Sequence, residues 1–443
     1  FDVSIEVGGQ ALANFLASLQ AADGETWPTL PGVSPSLARI VTEGTNIDPG
    51  NNQQLADALS LVTGDAVDVV ITATGDIDMA TLLIENSGGT VNYVYPPYIV
   101  ANVSLRQVAS LGATDAIANI RLPQMVHIVD SELEPMYGPN TSEGVSASNA
   151  SAWHTAGYTG AGVKVGVVDI EFDRWQNSDL AGCIVDVRYA NGTAYDGTTN
   201  GLLVHGTAVS EIICDMAPGA DVYGRAVATD VDFVNAVNYL VDTVHVQTIN
   251  ASIGLAYQPG DGYDLMSLVV NDVVQNDDVV FVVSAGNEYE SHYEGQLTTT
   301  YVSAGDFPGW NMHAFNGSND YMNFVVGNLF VFYYSQLHCQ GLIWNDWAAP
   351  FDTDLDLYAF RWNNGNPVIV GRSETDNIDT GNPTEEVCLY TDVDDAYGYA
   401  IRAKTVPART IWIQFFERYA GSLGMEYTYP YSSNSSPSTA LYA

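Results

Sequence analysis

Gly160-Ala161-Gly162-Val163-Lys164-Val165-Gly166-Val167-Val168-Asp169 is a run of β-branched residues that opens in glycines and closes on a carboxylate. Val167 and Val168 are adjacent, so the run is apolar on both faces. That is the pattern of a strand in a parallel sheet covered by helices, in contrast to a half-solvated antiparallel strand. In open α/β sheets, groups that meet a ligand gather at the carboxyl ends of the strands, which puts Asp169 where a functional acid is expected. A strand ending in Asp at a turn is the plain alternative. Asp173 lies nearby, and Asp169 is preferred because it directly follows the apolar run.

Working outward, apolar runs at 221–227, 248–253 and 279–283 alternate with helical text. Together with the first run they predict an α/β domain built on a parallel sheet, over residues 150–296. Upstream, residues 61–123 read as a small α+β unit. Val67-Asp-Val-Val-Ile-Thr-Ala73 is β-rich, and Asp76 can cap a helix through Asn86 that Gly88-Gly89 stops. Strands follow at 91–95 and 98–103, then a helix over 105–111 capped by Ser104, then a strand at 116–122. The order β-α-β-β-α-β is that of a ferredoxin-like unit. Residues 1–60 offer one helical stretch, 10–19, and then Pro, Gly and Asn-rich text without a clear element. Residues 124–149 read as a linker. After about residue 296 helical periodicity stops, and short alternating strands, among them 328–334, 340–344, 355–360 and 410–415, predict an all-β sandwich over 297–429.

Two further motifs bear on chemistry. His205-Gly-Thr-Ala-Val-Ser-Glu-Ile-Ile opens a helix, and Met216-Ala-Pro-Gly follows it. A His at the first turn of a helix, with small residues behind it, can be presented to a cleft and held there. Val279-Val-Phe-Val-Val-Ser-Ala-Gly-Asn287 is a strand that ends in Ala-Gly, where the Asn287 side-chain amide can face a developing oxyanion. Read alone, Ala-Gly-Asn is an ordinary turn.

The three motifs, in the order Asp169, His205, Asn287, resemble the subtilisin-like (S8) serine peptidase family over roughly residues 150–295. The resemblance implies that Asp169 orients His205, that His205 acts as general base and then acid, and that Asn287 stabilises the tetrahedral intermediate. It implies a cleft-edge role for Ser252 and Gly254, where substrate backbone pairs. Subtilisin-like text resumes near residue 430, so residues 150–296 and 430–443 are expected to form an incomplete peptidase domain carrying the sandwich as a prepeptidase-type jelly-roll insertion. The unit at 61–123 resembles the family's inhibitory propeptide, with a plain α+β adaptor as the alternative. The family's nucleophile lies in Gly-Thr-Ser-x-Ala-x-Pro, and no such segment occurs in residues 1–443. The chain as it stands is therefore expected to be inactive. Either a serine segment is supplied beyond it or the protein is a degenerate relative.

Composition narrows the partners. There are 53 acidic against 13 basic residues, a formal charge of −40, which argues against nucleic acid. No uncharged apolar run reaches the length of a membrane span. Phe1 in place of Met is what signal-peptide removal leaves, and an arbitrary boundary would look the same. Secretion fits the four cysteines, expected to pair within domains as Cys183 with Cys214 and Cys339 with Cys388. It also fits sequons at Asn102, Asn191 and Asn316, which permit N-glycosylation. No cofactor is required by the implied chemistry. Asp352, Asp354 and Asp356 alternate on one strand face near Asn345 and Asp346 and are candidate calcium ligands, with a solvated face as the alternative. Trp344 and Trp347 fit core packing better than a sugar platform. The expected function is a secreted endopeptidase acting on protein or peptide substrates. The competing reading is a catalytically inactive surface or filament protein that reuses the scaffold for assembly or adhesion, with a C-terminal fragment or a second copy as partner.

Overall fold

The computed structural model describes residues 30–48, 58–126, 141–176, 182–196, 204–255, 258–286, 292–301, 309–315, 322–325, 336–347, 351–363, 366–391, 396–417 and 437–442. The helix expected over 10–19 and the strand expected over 328–334 lie outside these residues. The chain divides into two compact units, residues 1–122 with 290–429 and residues 123–289 with 430–443.

In the first unit the described chain begins with a helix that composition had hidden, α1 (Pro35–Glu43). Pro35 at its first position has no N–H to leave unpaired, and Leu37 and Ile40 point into the core. Then come β1 (Val62–Thr63), β2 (Ala66–Ala73), α2 (Ile77–Ser87), β3 (Thr90–Tyr95), β4 (Tyr98–Ser104), α3 (Leu105–Gly112) and β5 (Ile117–Arg121). Asp76 caps α2, its Oδ1 accepting from the N–H groups of Asp78 and Met79 at 3.1 and 3.2 Å. Strand β2 pairs antiparallel with β4 and β5, and β3 lies outside β4. Alternate residues Val67, Val69, Ile71 and Ala73 join Ile99, Ala101, Val103, Ile84 and Val108 in one apolar core.

The second unit contains α4 (Glu143–Ala147), α5 (Ala150–Thr155), β6 (Lys164–Asp169), β7 (Ile184–Tyr189), α6 (His205–Met216), β8 (Asp221–Ala226), α7 (Asp230–Tyr239), β9 (Thr248–Ala251), α8 (Leu265–Asn276) and β10 (Val280–Val283). The five strands form one parallel sheet in the order β10-β9-β6-β8-β7. The run at 163–169 is its middle strand, with Val165, Val167 and Val168 all buried. Part of the expected linker belongs to this unit, since Asp230 Oδ1 accepts from Gln124 N–H at 2.8 Å and Val126 N–H donates to Ala228 O at 3.0 Å. Residues 437–442 return to it. Thr439 Oγ1 lies 3.1 Å from Ser267 Oγ on α8, and Asn271 Oδ1 accepts from Tyr442 N–H at 3.2 Å.

Among the described residues, the remainder of the first unit is antiparallel sheet with one short helix. Its elements are β11 (His292–Gln296), β12 (Thr299–Tyr301), β13 (Asn311–His313), β14 (Met322–Val325), β15 (Gln336–Trp344), β16 (Asp354–Asn363), β17 (Asn366–Ser373), α9 (Asn377–Thr380), β18 (Thr384–Thr391), β19 (Ala396–Thr405) and β20 (Trp412–Glu417). One sheet runs β11-β20-β15-β18, the other β12-β13-β19-β16-β17 with β14 beside β19. Leu342, Trp344 and Phe415 of the first sheet and Leu355, Leu357, Tyr399 and Ile401 of the second share one apolar cluster, so the two inner faces are packed on each other. The first and last strands are neighbours, with His292 opposite Phe416.

Candidate active site

Asp169 ends the middle strand of the parallel sheet and is fully buried. His205 begins α6, and its Nδ1 lies 2.8 Å from Asp169 Oδ1 and 2.9 Å from Oδ2. Residues 36 positions apart thus meet because a strand end and a helix start share one edge of the sheet. Asp169 Oδ1 also accepts from Ile170 N–H at 2.8 Å. Burial pushes the Asp169 carboxyl above the usual range, and the hydrogen bond and charge of His205, with the N–H groups of Ile170 and Glu171, pull it back. Because the carboxylate holds Nδ1, Nε2 is the ring nitrogen that can exchange a proton with a reacting group.

The glycine after His205 has a steric cause. Gly206 N–H donates to Glu171 O at 2.6 Å, and a Cβ on Gly206 would sit 2.5 Å from that oxygen and 2.8 Å from Asp169 Cβ. Only a residue without a side chain lets the helix start this close to the loop after β6. Thr207 Oγ1 then donates to Asp173 O at 2.8 Å, and Tyr195 OH donates to Asp173 Oδ1 at 2.9 Å. Asp173 is therefore buried scaffolding beneath the helix, while Asp169 holds the imidazole. Sequence reasoning passed over Glu171, whose signal was the alternation Asp169-Ile-Glu-Phe-Asp173. Its half-buried carboxyl is raised by burial and by the neighbouring charge of Asp169, with His205 acting in the opposite sense and Asp173 adding to the rise.

Other sequence-derived residues fall as follows. The register Val168↔Ala251 and Val283↔Ala251 puts Ser252 and Ser284, which follow β9 and β10, at the same end of the sheet as Asp169. Ser252 Oγ accepts from Asn250 Nδ2 at 3.0 Å, and Gly254 is buried two residues on. The chain continues through Gly286 at φ 89°, and Asn287 lies outside the described residues. Cys183 and Cys214 form a disulfide that ties the His205 helix to the start of β7. Cys388 is disulfide-bonded and stands opposite Cys339 across β18 and β15.

The three aspartates considered for calcium meet organic cations. Lys404 Nζ lies 3.2 Å from both Asp354 Oδ2 and Asp356 Oδ1, and Arg402 Nη1 lies 3.4 Å from Asp356 Oδ2. Arg409 Nη2 lies 2.7 Å from Asp352 and 2.6 Å from Asp346. Among the described residues no group of three His, Cys, Asp or Glu side chains is arranged to hold a metal. Nor is any described helix long and apolar enough to cross a membrane.

Comparison with known proteins agrees with the motif reading. The chain is 27% identical over 353 residues to a probable subtilase-type serine protease of Deinococcus radiodurans, covering 65% of this chain and 46% of that protein. It is 26% identical over 180 residues to subtilisin E of Bacillus subtilis, covering 38% of this chain and 46% of that protein. A similar solved structure is the CspB protease of Clostridium perfringens, at 13% identity and a TM-score of 0.41, covering 67% of this chain and 71% of that one. No family model matches the chain. The curated matches support a subtilisin-like (S8) family for this chain. It spans about half the length of the curated relatives it matches, 46% in each case.

Proposed function

We propose that this chain carries the base and orienting acid of a secreted serine endopeptidase, which hydrolyses protein or peptide substrates by acyl transfer. The observation that carries the reading is the pairing of a fully buried carboxylate with the Nδ1 of a helix-borne imidazole at 2.8 and 2.9 Å. With Nδ1 committed, His205 Nε2 takes the proton of a serine hydroxyl as that oxygen attacks the scissile carbonyl. His205 then gives the proton to the leaving amine, and water repeats the sequence on the acyl-enzyme. Asn287 is assigned to the oxyanion, and Ser252 with Gly254 to the substrate backbone. The serine is assigned to a segment of the family pattern Gly-Thr-Ser-x-Ala-x-Pro, which residues 1–443 do not contain.

The same reading makes residues 61–123 a propeptide-type inhibitor and residues 297–429 an insertion of jelly-roll type. The neighbouring first and last strands of the sandwich support the second assignment, because a segment whose ends adjoin can interrupt a domain without separating its halves. The test is fluorophosphonate labelling of the full-length gene product freed of residues 1–123. Covalent labelling that disappears in His205→Ala is the expected result. A well-folded full-length sample that does not label overturns the peptidase reading in favour of an inactive scaffold.

A further inference from the structure

The helix that presents His205 works against protonation of its ring. His205 occupies the first position of α6, a 12-residue helix, where the positive end of the helix dipole disfavours an imidazolium. One carboxylate, Asp169, answers this through direct contact at Nδ1. The loop after β6 brings two more acids around the same helix start. Asp173 is buried and receives Tyr195 OH, so its charge is already engaged. Glu171 is different. Its own carbonyl is fastened to the residue after His205 by the 2.6 Å bond from Gly206 N–H, which fixes its backbone against the first turn of the helix that carries the ring. Its carboxyl is half-buried, and burial and the neighbouring Asp169 charge push it above the usual carboxylate range while His205 pulls it back. A negative group held at the rim of a buried pair is screened less than a surface charge.

We propose that Glu171 is a positioning residue for His205, a second carboxylate that stabilises the imidazolium formed when the ring accepts a proton. It offsets the helix dipole that Asp169 alone must otherwise oppose. The proposal deepens the peptidase reading and rests on His205 as the proton-carrying group. The charged groups on the elements packed against the start of α6 are Asp169 at the end of β6, in contact with the ring, and Glu171, Asp173 and Arg174 on the following loop.

The test follows the imidazole itself and needs no turnover. The nitrogen-bound and carbon-bound ring signals of the 443-residue chain are recorded by NMR across its titration, and the His205 signal is assigned by its loss in His205→Gln. Glu171→Gln is expected to lower the His205 midpoint by about 0.5–1 pH unit, which is about a threefold to tenfold fall in the imidazolium-to-imidazole ratio at fixed pH. Glu171→Ala gives the same fall, Glu171→Asp restores most of it, and about 1 M salt shrinks the difference between wild type and Glu171→Gln. A midpoint unchanged in both Glu171→Gln and Glu171→Ala overturns the proposal, as does a fall that Glu171→Asp fails to recover. Absence of fluorophosphonate labelling in the full-length product freed of residues 1–123 would overturn the peptidase reading without moving this midpoint, so the two failures are distinct.

Discussion

Gly206 N–H meets Glu171 O at 2.6 Å, and with the bond from Thr207 Oγ1 to Asp173 O this seats the helix bearing the imidazole on the loop that leaves the buried carboxylate. A methyl group at position 206 would stand 2.5 Å from the accepting oxygen. Gly206→Ala is therefore expected to push the start of α6 outward, destabilising the second unit by about 1–3 kcal/mol. In the proposed peptidase, displacement of the ring by about 1 Å is expected to lower turnover by about 10²-fold. Chemical denaturation and kcat measured on the same variant check both.

Asp169→Asn keeps the size of the side chain and removes its charge. The amide can offer its NH₂ to Nδ1 and so favour the wrong tautomer of His205. Turnover of the full-length protein is expected to fall by about 10⁴, with substrate affinity nearly unchanged. A rise in KM with kcat unchanged would place Asp169 in substrate binding instead.

The bond between Cys183 and Cys214 closes a loop with a sequence separation of 31 and holds the far part of α6. Replacing both cysteines by Ser is expected to cost about 3–4 kcal/mol of stability in the second unit. The loss is read from denaturant midpoints with and without reductant, and wild type under reductant should match the double variant.

The sandwich holds a carboxylate whose charge opposes folding. Burial pushes Asp356 up from 3.8 to about 6, with Lys404 acting against the rise. A folded-state value above the unfolded one means that stability is fully present below about pH 4 and is lost as pH rises through about 6. Relative to Asp356→Asn, wild type is expected to lose up to about 3 kcal/mol between those limits. Thermal melts of both proteins at several pH values measure the difference.

His313 titrates in the opposite sense. It is buried, its Nδ1 accepts from Thr298 N–H at 3.2 Å, and burial pushes its ring down from 6.5 to about 4. A depressed folded-state value means that its stability is present above about pH 6.5 and is lost as pH falls through about 4. The two windows overlap, so wild type should show a shallow pH dependence while Asp356→Asn is acid-sensitive and His313→Gln is not. Parallel acid titrations of the three proteins, followed by near-UV circular dichroism, check this.

How much of this was legible in the chain depends on distance along it. Asp76, two and three residues from the N–H groups it caps, could be read directly, and so could the apolar strand that delivers Asp169. His205 was legible because small residues and a helix start surround it locally. The ion pairs at Asp352, Asp354 and Asp356 were not, since Lys404, Arg402 and Arg409 lie some 46–57 positions away and only strand pairing brings β19 beside β16. Local alternation of acids reads as a cation site until the partners are placed. Helix α1 was missed for a related reason. Prolines and glycines around 28–50 dominate that text, while the burial that stabilises Leu37 and Ile40 comes from the sheet at 66–121.

Thr439 closes on Ser267 across 172 positions of chain, and Tyr442 on Asn271 across 171. On a ribosome, the turn at Asp264 must wait for that late segment until the whole sandwich has been synthesised. A floppy connection of such length would make the encounter slow. The sandwich shortens the search, because once β11 and β20 pair, its entrance and exit stand side by side and the intervening polymer acts as a small clasp. Synthesis order thereby becomes assembly order: the pairing of β11 with β20 comes first, and the contact of Thr439 with Ser267 closes last.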